Sequence, residues 1–141
     1  MTMTDIDIAK ANLSGHSICL CKGGAFFTDD GRGISPIMKF IAEGCELSGY
    51  SVADMIVGKA AAMLFVKAGI AAVYGEVMSA AGRDYLKQHN ITCSWGALTE
   101  KIINRKGDDI CPMEKTVAEL ADADEGYLAL KAKVALLFSA V

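Results

Sequence analysis

Asp54-Met-Ile-Val-Gly-Lys-Ala-Ala-Ala-Met-Leu-Phe-Val-Lys-Ala-Gly-Ile-Ala-Ala-Val-Tyr-Gly-Glu-Val-Met-Ser79 decides the fold. Its apolar opening, Met55–Val57, suits a buried strand. Ala60–Lys67 is rich in helix formers, with Met63, Leu64 and Phe65 marking the buried side. Gly69 supplies a helix stop. Ile70–Val77 is β-branched enough for a second strand, and Ser79 can cap the helix after it. A strand–helix–strand unit of this length predicts a right-handed crossover on a largely parallel sheet.

The rest of the chain is read outward from that unit. Residues 1–15 predict a short helix or arm around Ile6, Ile8 and Leu13. Ser17–Lys22 alternates as a strand, Gly23-Gly24 is a hairpin turn, and Ala25–Thr28 is the return strand. Ser35-Pro36 reads as an N-cap with proline at the first helical position of a helix to about Glu43. Cys45–Ser51 reads as a connector. On the other side, a helix runs from Ser79 to about Gln88, with Asn90 as a left-handed stop. Ile91, Cys93 and Trp95 alternate as a strand, Leu98–Ile103 is ambiguous, and Asn104–Asp109 is a polar loop. Cys111-Pro112 opens a further helix, Asp122–Glu125 looks like a break, and Tyr127–Phe138 is a final helix resting on Leu128, Val134 and Leu137. A hairpin followed by alternating helices and strands predicts a three-layer α/β/α sandwich with one mixed sheet.

Composition narrows the function. The 141 residues suit one domain over 1–141, with a core over about 15–120 and a C-terminal helix over 126–139. Hydrophobic residues make up 52% and the net charge is −3, which excludes disorder and makes nucleic acid an unexpected partner. Lys59 and Lys67 interrupt the long apolar runs, so no membrane span is expected. The first residues lack the basic and apolar regions of a signal peptide, which predicts a cytoplasmic location with reduced thiols. Five cysteines without a C-x-x-C disfavour a disulfide framework and a structural zinc.

Four stretches taken together carry a resemblance: Gly31-Arg32-Gly33-Ile34-Ser35-Pro36, Asp54-x-x-x-Gly58-Lys59-Ala60-Ala61-Ala62, Asn104-Arg105 and Cys111-Pro112-Met113-Glu114. In this order, over roughly residues 15–120, the chain resembles an uncharacterised prokaryotic family, domain of unknown function 1893, assigned to the cytidine-deaminase-like fold. The resemblance implies that fold and a candidate site, but no reaction. A zinc deaminase needs His-x-Glu at one helix start and Pro-Cys-x-x-Cys at the next. The corresponding positions here hold Lys59 and Ala61, then Met78-Ser79-Ala80-Ala81-Gly82. With every ligand and the proton-shuttling glutamate missing, neither zinc nor any other cofactor is expected.

Those positions still have chemistry. Lys59 in a first helical turn opposes the helix dipole unless an anion is near. The free N–H groups of that turn, with Gly58 permitting close approach, describe an anion site. A ligand phosphate or a protein carboxylate such as Glu76 could fill it; the alternative is a solvated or ion-paired lysine. Arg32 beside Gly33 is a second possible phosphate contact or a plain surface arginine. Cys111, at a helix start with Glu114 three residues on, is either a reactive thiol or a packing residue. Cys19 and Cys21 share one strand face and suit the core.

The expected function is therefore a pocket for a phosphorylated or nucleotide-like small molecule. Its ligand-binding candidates are Arg32, Gly33, Gly58, Lys59, Glu76, Ser79, Asn104 and Arg105. Cys111 and Glu114 are the candidate catalytic pair. The alternative is a non-catalytic interaction module, a homo-oligomer built through apolar helices. The residues name no reaction.

Overall fold

The computed structural model describes residues 3–104 and 106–139. Among the described residues, six helices and five strands follow one another, alternating from Ser35 to Val117. Helix α1 is Asp5–Ala11, followed by β1 (Ile18–Lys22), β2 (Ala25–Asp29), α2 (Ser35–Ala42) and β3 (Ser51–Val57). Then come α3 (Lys59–Ala68), β4 (Ala72–Ser79), α4 (Ala80–Gln88), β5 (Thr92–Thr99), α5 (Pro112–Val117) and α6 (Ala123–Ser139). The sheet order is β2-β1-β3-β4-β5. β1 is antiparallel to both β2 and β3, while β3, β4 and β5 run parallel. The hairpin thus lies beside the parallel crossover, and the architecture is an α/β/α sandwich.

The layers follow from side-chain alternation. Ile18 and Leu20 on β1, with Val52 and Val73, face a core closed by α2, α3, α4 and α6. Met63, Leu64 and Phe65 are fully buried in it. The alternate residues Cys19, Cys21, Ala53 and Tyr74 face the other way and pack against Ala9 and Leu13, so among the described residues α1 is the helix of the third layer. The Asp5 carboxylate ties that helix to the hairpin, accepting from the N–H groups of Gly23 at 2.9 Å and Gly24 at 3.0 Å.

The three parallel strands change phase together. Asp54 pairs with Gly75 and Gly75 with Trp95; pairing resumes at Ile56, Val77 and Ala97. Met55, Glu76 and Gly96 stand between without partners in the ladder. Core-facing residues therefore step from Val52 to Val57 and from Val73 to Met78, odd intervals that strict alternation forbids. A Cβ at Gly75 would come within 3.0 Å of Val57 Cγ2. The crease brings Val57 and Met78 onto the core side just before α3 and α4 begin.

Several boundaries differ from expectation. β3 starts at Ser51, ahead of the expected Met55, so Ser51 is central strand rather than the end of the connector: both faces are covered there, and small residues suffice. Ser35 is not a side-chain cap; Ile34 holds the cap position, and the Ser35 hydroxyl donates to the Arg32 carbonyl at 2.7 Å. α6 begins at Ala123, inside the expected break. It buries Leu130, while Leu128 is 63% and Leu137 47% exposed. Among the described residues no helix is long and apolar enough to cross a membrane.

Candidate functional site

α3 starts at Gly58, which offers no side-chain cap. Its first N–H groups are satisfied from far along the chain: Lys59 N–H donates to Glu114 Oε1 and Ala60 N–H to Glu114 Oε2, each at 2.8 Å. Both carboxylate oxygens thus sit on the positive end of the helix. Gly58 makes the approach possible, since a Cβ there would lie 2.3 Å from Glu114 Oε1. The carboxylate in this place is Glu114, not Glu76. Glu76 stands on the α1 side of the sheet, where it accepts from the Tyr74 hydroxyl at 2.9 Å. Glu114 likewise serves α3, not the first turn of its own helix.

Lys59 reaches sideways and donates from Nζ to the Ala118 carbonyl at 3.0 Å. Ser79 is buried and caps α4, its hydroxyl accepting from Gly82 N–H at 3.0 Å. A Cβ on Gly82 would sit 2.9 Å from the Gly58 carbonyl carbon, so the two helix starts are packed against each other.

Beside this seam opens a cleft of about 1650 Å³, at the carboxyl end of β3. The loop before α2 contributes Asp30, Arg32 and Gly33; α2 adds Met38; the start of α3 adds Gly58 and Ala61. Ile102, Ile103, Asn104, Lys106, Asp108 and Asp109 come from the loop after β5. Cys111, Met113, Glu114, Val134 and Leu137 close the far side. Of the sequence candidates, Arg32, Gly33, Gly58, Asn104, Cys111 and Glu114 meet here. Lys59, Glu76 and Ser79 do not line it, and Arg105 lies outside the described residues.

The loop wall is internally braced. Asn104 Oδ1 accepts from Gly107 N–H at 2.9 Å and Asp108 N–H at 3.2 Å, and its amide donates to Asp108 at 3.0 Å. Ile103 and Ile110 form a bridge across the loop base. Lys115 binds Asp109 and, with the Ile110 N–H, holds that carboxyl below its usual range. Asp30 bonds His16 Nδ1 at 2.7 Å. Every carboxylate on the cleft wall therefore has a hydrogen-bond partner, while the side chains of Arg32 and Lys106 have none among the described residues. Sequence reasoning missed Lys106; its signal was a basic residue in a loop whose acids are all consumed locally.

Asp54, two residues before the cleft-lining Ile56, is 7% exposed. Burial pushes its carboxyl up to about 7, against the N–H groups of Ile56 and Met55. Of the five thiols, Cys19 and Cys21 are buried, Cys93 and Cys111 half-buried, and Cys45 exposed, so burial does not shield Cys45 as expected. Burial pushes the Cys19, Cys21 and Cys93 thiols up. Among the described residues no group of three or more His, Cys, Asp or Glu could hold a metal.

No curated protein matches the chain. A DUF1893 family protein from Thermotoga maritima superposes with a TM-score of 0.76 at 25% identity, over 83% of this chain and 80% of that one. A diaminohydroxyphosphoribosylaminopyrimidine deaminase/5-amino-6-(5-phosphoribosylamino)uracil reductase, also from Thermotoga maritima, gives a TM-score of 0.44 at 16% identity, over 79% of this chain and 38% of that one. The model of the domain of unknown function DUF1893 matches residues 9–134, and the chain belongs to that family.

Proposed function

We propose that the cleft binds a small organic anion, phosphorylated or nucleotide-like. One observation carries this: each carboxylate on the wall already has a hydrogen-bond partner within the protein, while the side chains of Arg32 and Lys106 have none among the described residues and are open to an incoming anion. Apolar side chains such as Ile34, Met38, Met113 and Val134 offer a surface for a planar or aliphatic body. The comparison with the cytidine-deaminase fold belongs to this reading. On it, α3 and α4 begin where a zinc deaminase holds its ligands, and this chain has Lys59, Ala61, Ser79 and Gly82 there.

Thermal melts with mononucleotides, sugar phosphates and inorganic phosphate test the reading. A ligand at a hundred times its Kd adds about 2.7 kcal/mol of stability. A mononucleotide should raise Tm, and Arg32→Ala with Lys106→Ala should remove that rise. A flat response to every phosphorylated compound at millimolar concentration would refute the reading and favour the interaction module.

Cys111 adds a chemical possibility because its residue lines the same cleft. Glu114 is committed to the α3 backbone, which leaves Cys111 as the candidate nucleophile. Limiting alkylation with mass-spectrometric mapping should label Cys111 ahead of Cys45. Cys45 is open to reagent, so its lagging would demonstrate activation rather than access. Equal or slower labelling of Cys111 returns it to packing.

A further inference from the structure

We propose that the ligand of the cleft is an amphipathic phosphate, a phosphate monoester whose body is an aliphatic chain rather than a nucleoside. The proposal rests on the reading of the cleft as an anion site and names the body that the anion carries. The lining divides by element. The ionic side chains Asp30, Arg32, Lys106, Asp108 and Asp109 all belong to two loops, one before α2 and one after β5. The helices contribute apolar surface: Met38 from α2, Ala61 from α3, Met113 from α5, and Val134 and Leu137 from α6. Glu114, the ionic exception on a helix, is turned onto the first N–H groups of α3. A molecule matched to this lining is divided in the same way. Its anionic head meets Arg32 and Lys106, and its body lies along the helices.

The neutral polar groups of the lining select against a nucleoside. The Ser17 hydroxyl donates to the Asp29 carbonyl at 2.9 Å, and the Ser35 hydroxyl donates to the Arg32 carbonyl at 2.7 Å. Asn104 uses its oxygen on Gly107 and Asp108 N–H and its amide on the Asp108 carboxylate. Each neutral side chain that could read the edge of a base is thus already bonded. The carboxylates that can still accept belong to the charged loops, not to the apolar wall. Among the described residues no aromatic side chain lines the cleft to stack on a base. A base or a peptide would bring polar groups against the helices, and burying them without partners weakens binding. An aliphatic chain brings none.

The apolar wall is also left uncovered. Ile56, Ile103 and Leu137 line the cleft and yet are 52, 50 and 47% exposed. Methylenes laid on such surface remove it from water. The volume of about 1650 Å³ exceeds the roughly 300–1,000 Å³ of compact small-molecule pockets, which suits an extended body.

A homologous series tests head and body separately. Ethyl, butyl, hexyl and octyl phosphate, octanol and a mononucleotide are titrated against the full chain by calorimetry, each below its micelle concentration. Affinity should rise along the phosphates by about fourfold for each methylene buried. Octyl phosphate should bind tighter than the mononucleotide and tighter than octanol. Ile103→Ser with Leu137→Ser, at half-exposed positions, should flatten the dependence on chain length and leave ethyl phosphate binding as before. Leu128→Ser, exposed on α6 but outside the cleft, should change nothing. Affinity that is flat from ethyl to octyl phosphate, or a mononucleotide that outbinds octyl phosphate, overturns the proposal and leaves the anion reading standing. No binding by any phosphate overturns both. Octanol binding as tightly as octyl phosphate overturns the proposal, as does a chain-length dependence that survives the double variant or vanishes with Leu128→Ser.

Discussion

α3 and α4 both begin at the carboxyl end of a parallel strand, yet their first turns are satisfied in opposite ways. α4 is closed by its own neighbour: Ser79 caps Gly82, three residues away and out of solvent. α3 has no local cap and takes Glu114 from 55 residues along the chain. A local cap forms with the helix and cannot be exchanged. A remote carboxylate makes the start of α3 depend on α5 being seated, and seats α5 through two charge-assisted bonds.

Breaking the remote closure should have the largest effect. Glu114→Ala leaves two N–H groups without their acceptor and should cost about 3 kcal/mol, lowering Tm by about 10 °C in thermal melts. Gly58→Ala should do nearly the same by displacing the carboxylate. The double variant should be little worse than either single one, because both remove one interaction. Full additivity would show that Glu114 and Gly58 act separately.

The strands beneath the two helices differ as well. Where β4 has Gly75, β3 has the buried Asp54. Its folded pKa of about 7 stands above the ordinary 3.8, so the fold favours the protonated form. The stability it contributes is full below pH 3.8, drains as pH rises, and is gone above about 7. Asp54→Asn, which still buries an amide, should be about 2 kcal/mol more stable than the parent at pH 8 and no more stable at pH 4. Parallel pH–stability curves for the two proteins would contradict this.

Ser79→Ala should cost about 1 kcal/mol, the ordinary price of one cap, and leave the α5 amides as protected as before. Equal loosening of α5 would erase the distinction between the two helix starts. Smallest of all, Arg32→Ala and Lys106→Ala should each change stability by less than about 0.5 kcal/mol, because neither side chain has a described partner to lose.

The same contrast explains what could be read from the residues alone. Ser79 as a cap, Gly69 and Asn90 as left-handed stops, and the Gly23-Gly24 turn are short-range chemistry, and all stand in the structure. The parallel unit and the sandwich follow from patterns of similar reach. Glu114 on α3 could not be foreseen, since nothing local links it to Gly58; only the bare Gly58 cap hinted that a distant acceptor was needed. Glu76 was the nearer acid, but the β4 pleat turns it to the other side of the sheet. The start of β3 was hidden because Ser51 closes a stretch that looks like connector and the small or polar Ala53 and Asp54 lack the apolar signal that began at Met55, yet all three lie at the sheet centre. In α6 the apolar residues surround the helix, so periodicity could not single out Leu130 over Leu128.

The crease through Met55, Glu76 and Gly96 also bears on how such a chain can change over generations. Deleting one codon from a single strand would put that strand out of step with its two neighbours, turning its core residues outward and its outer residues in. Restoring a flat sheet requires three deletions, and every intermediate carries mismatched strands. The crease is therefore easy to keep and hard to lose one step at a time, and variation at that end of the sheet is channelled into side-chain identity rather than chain length.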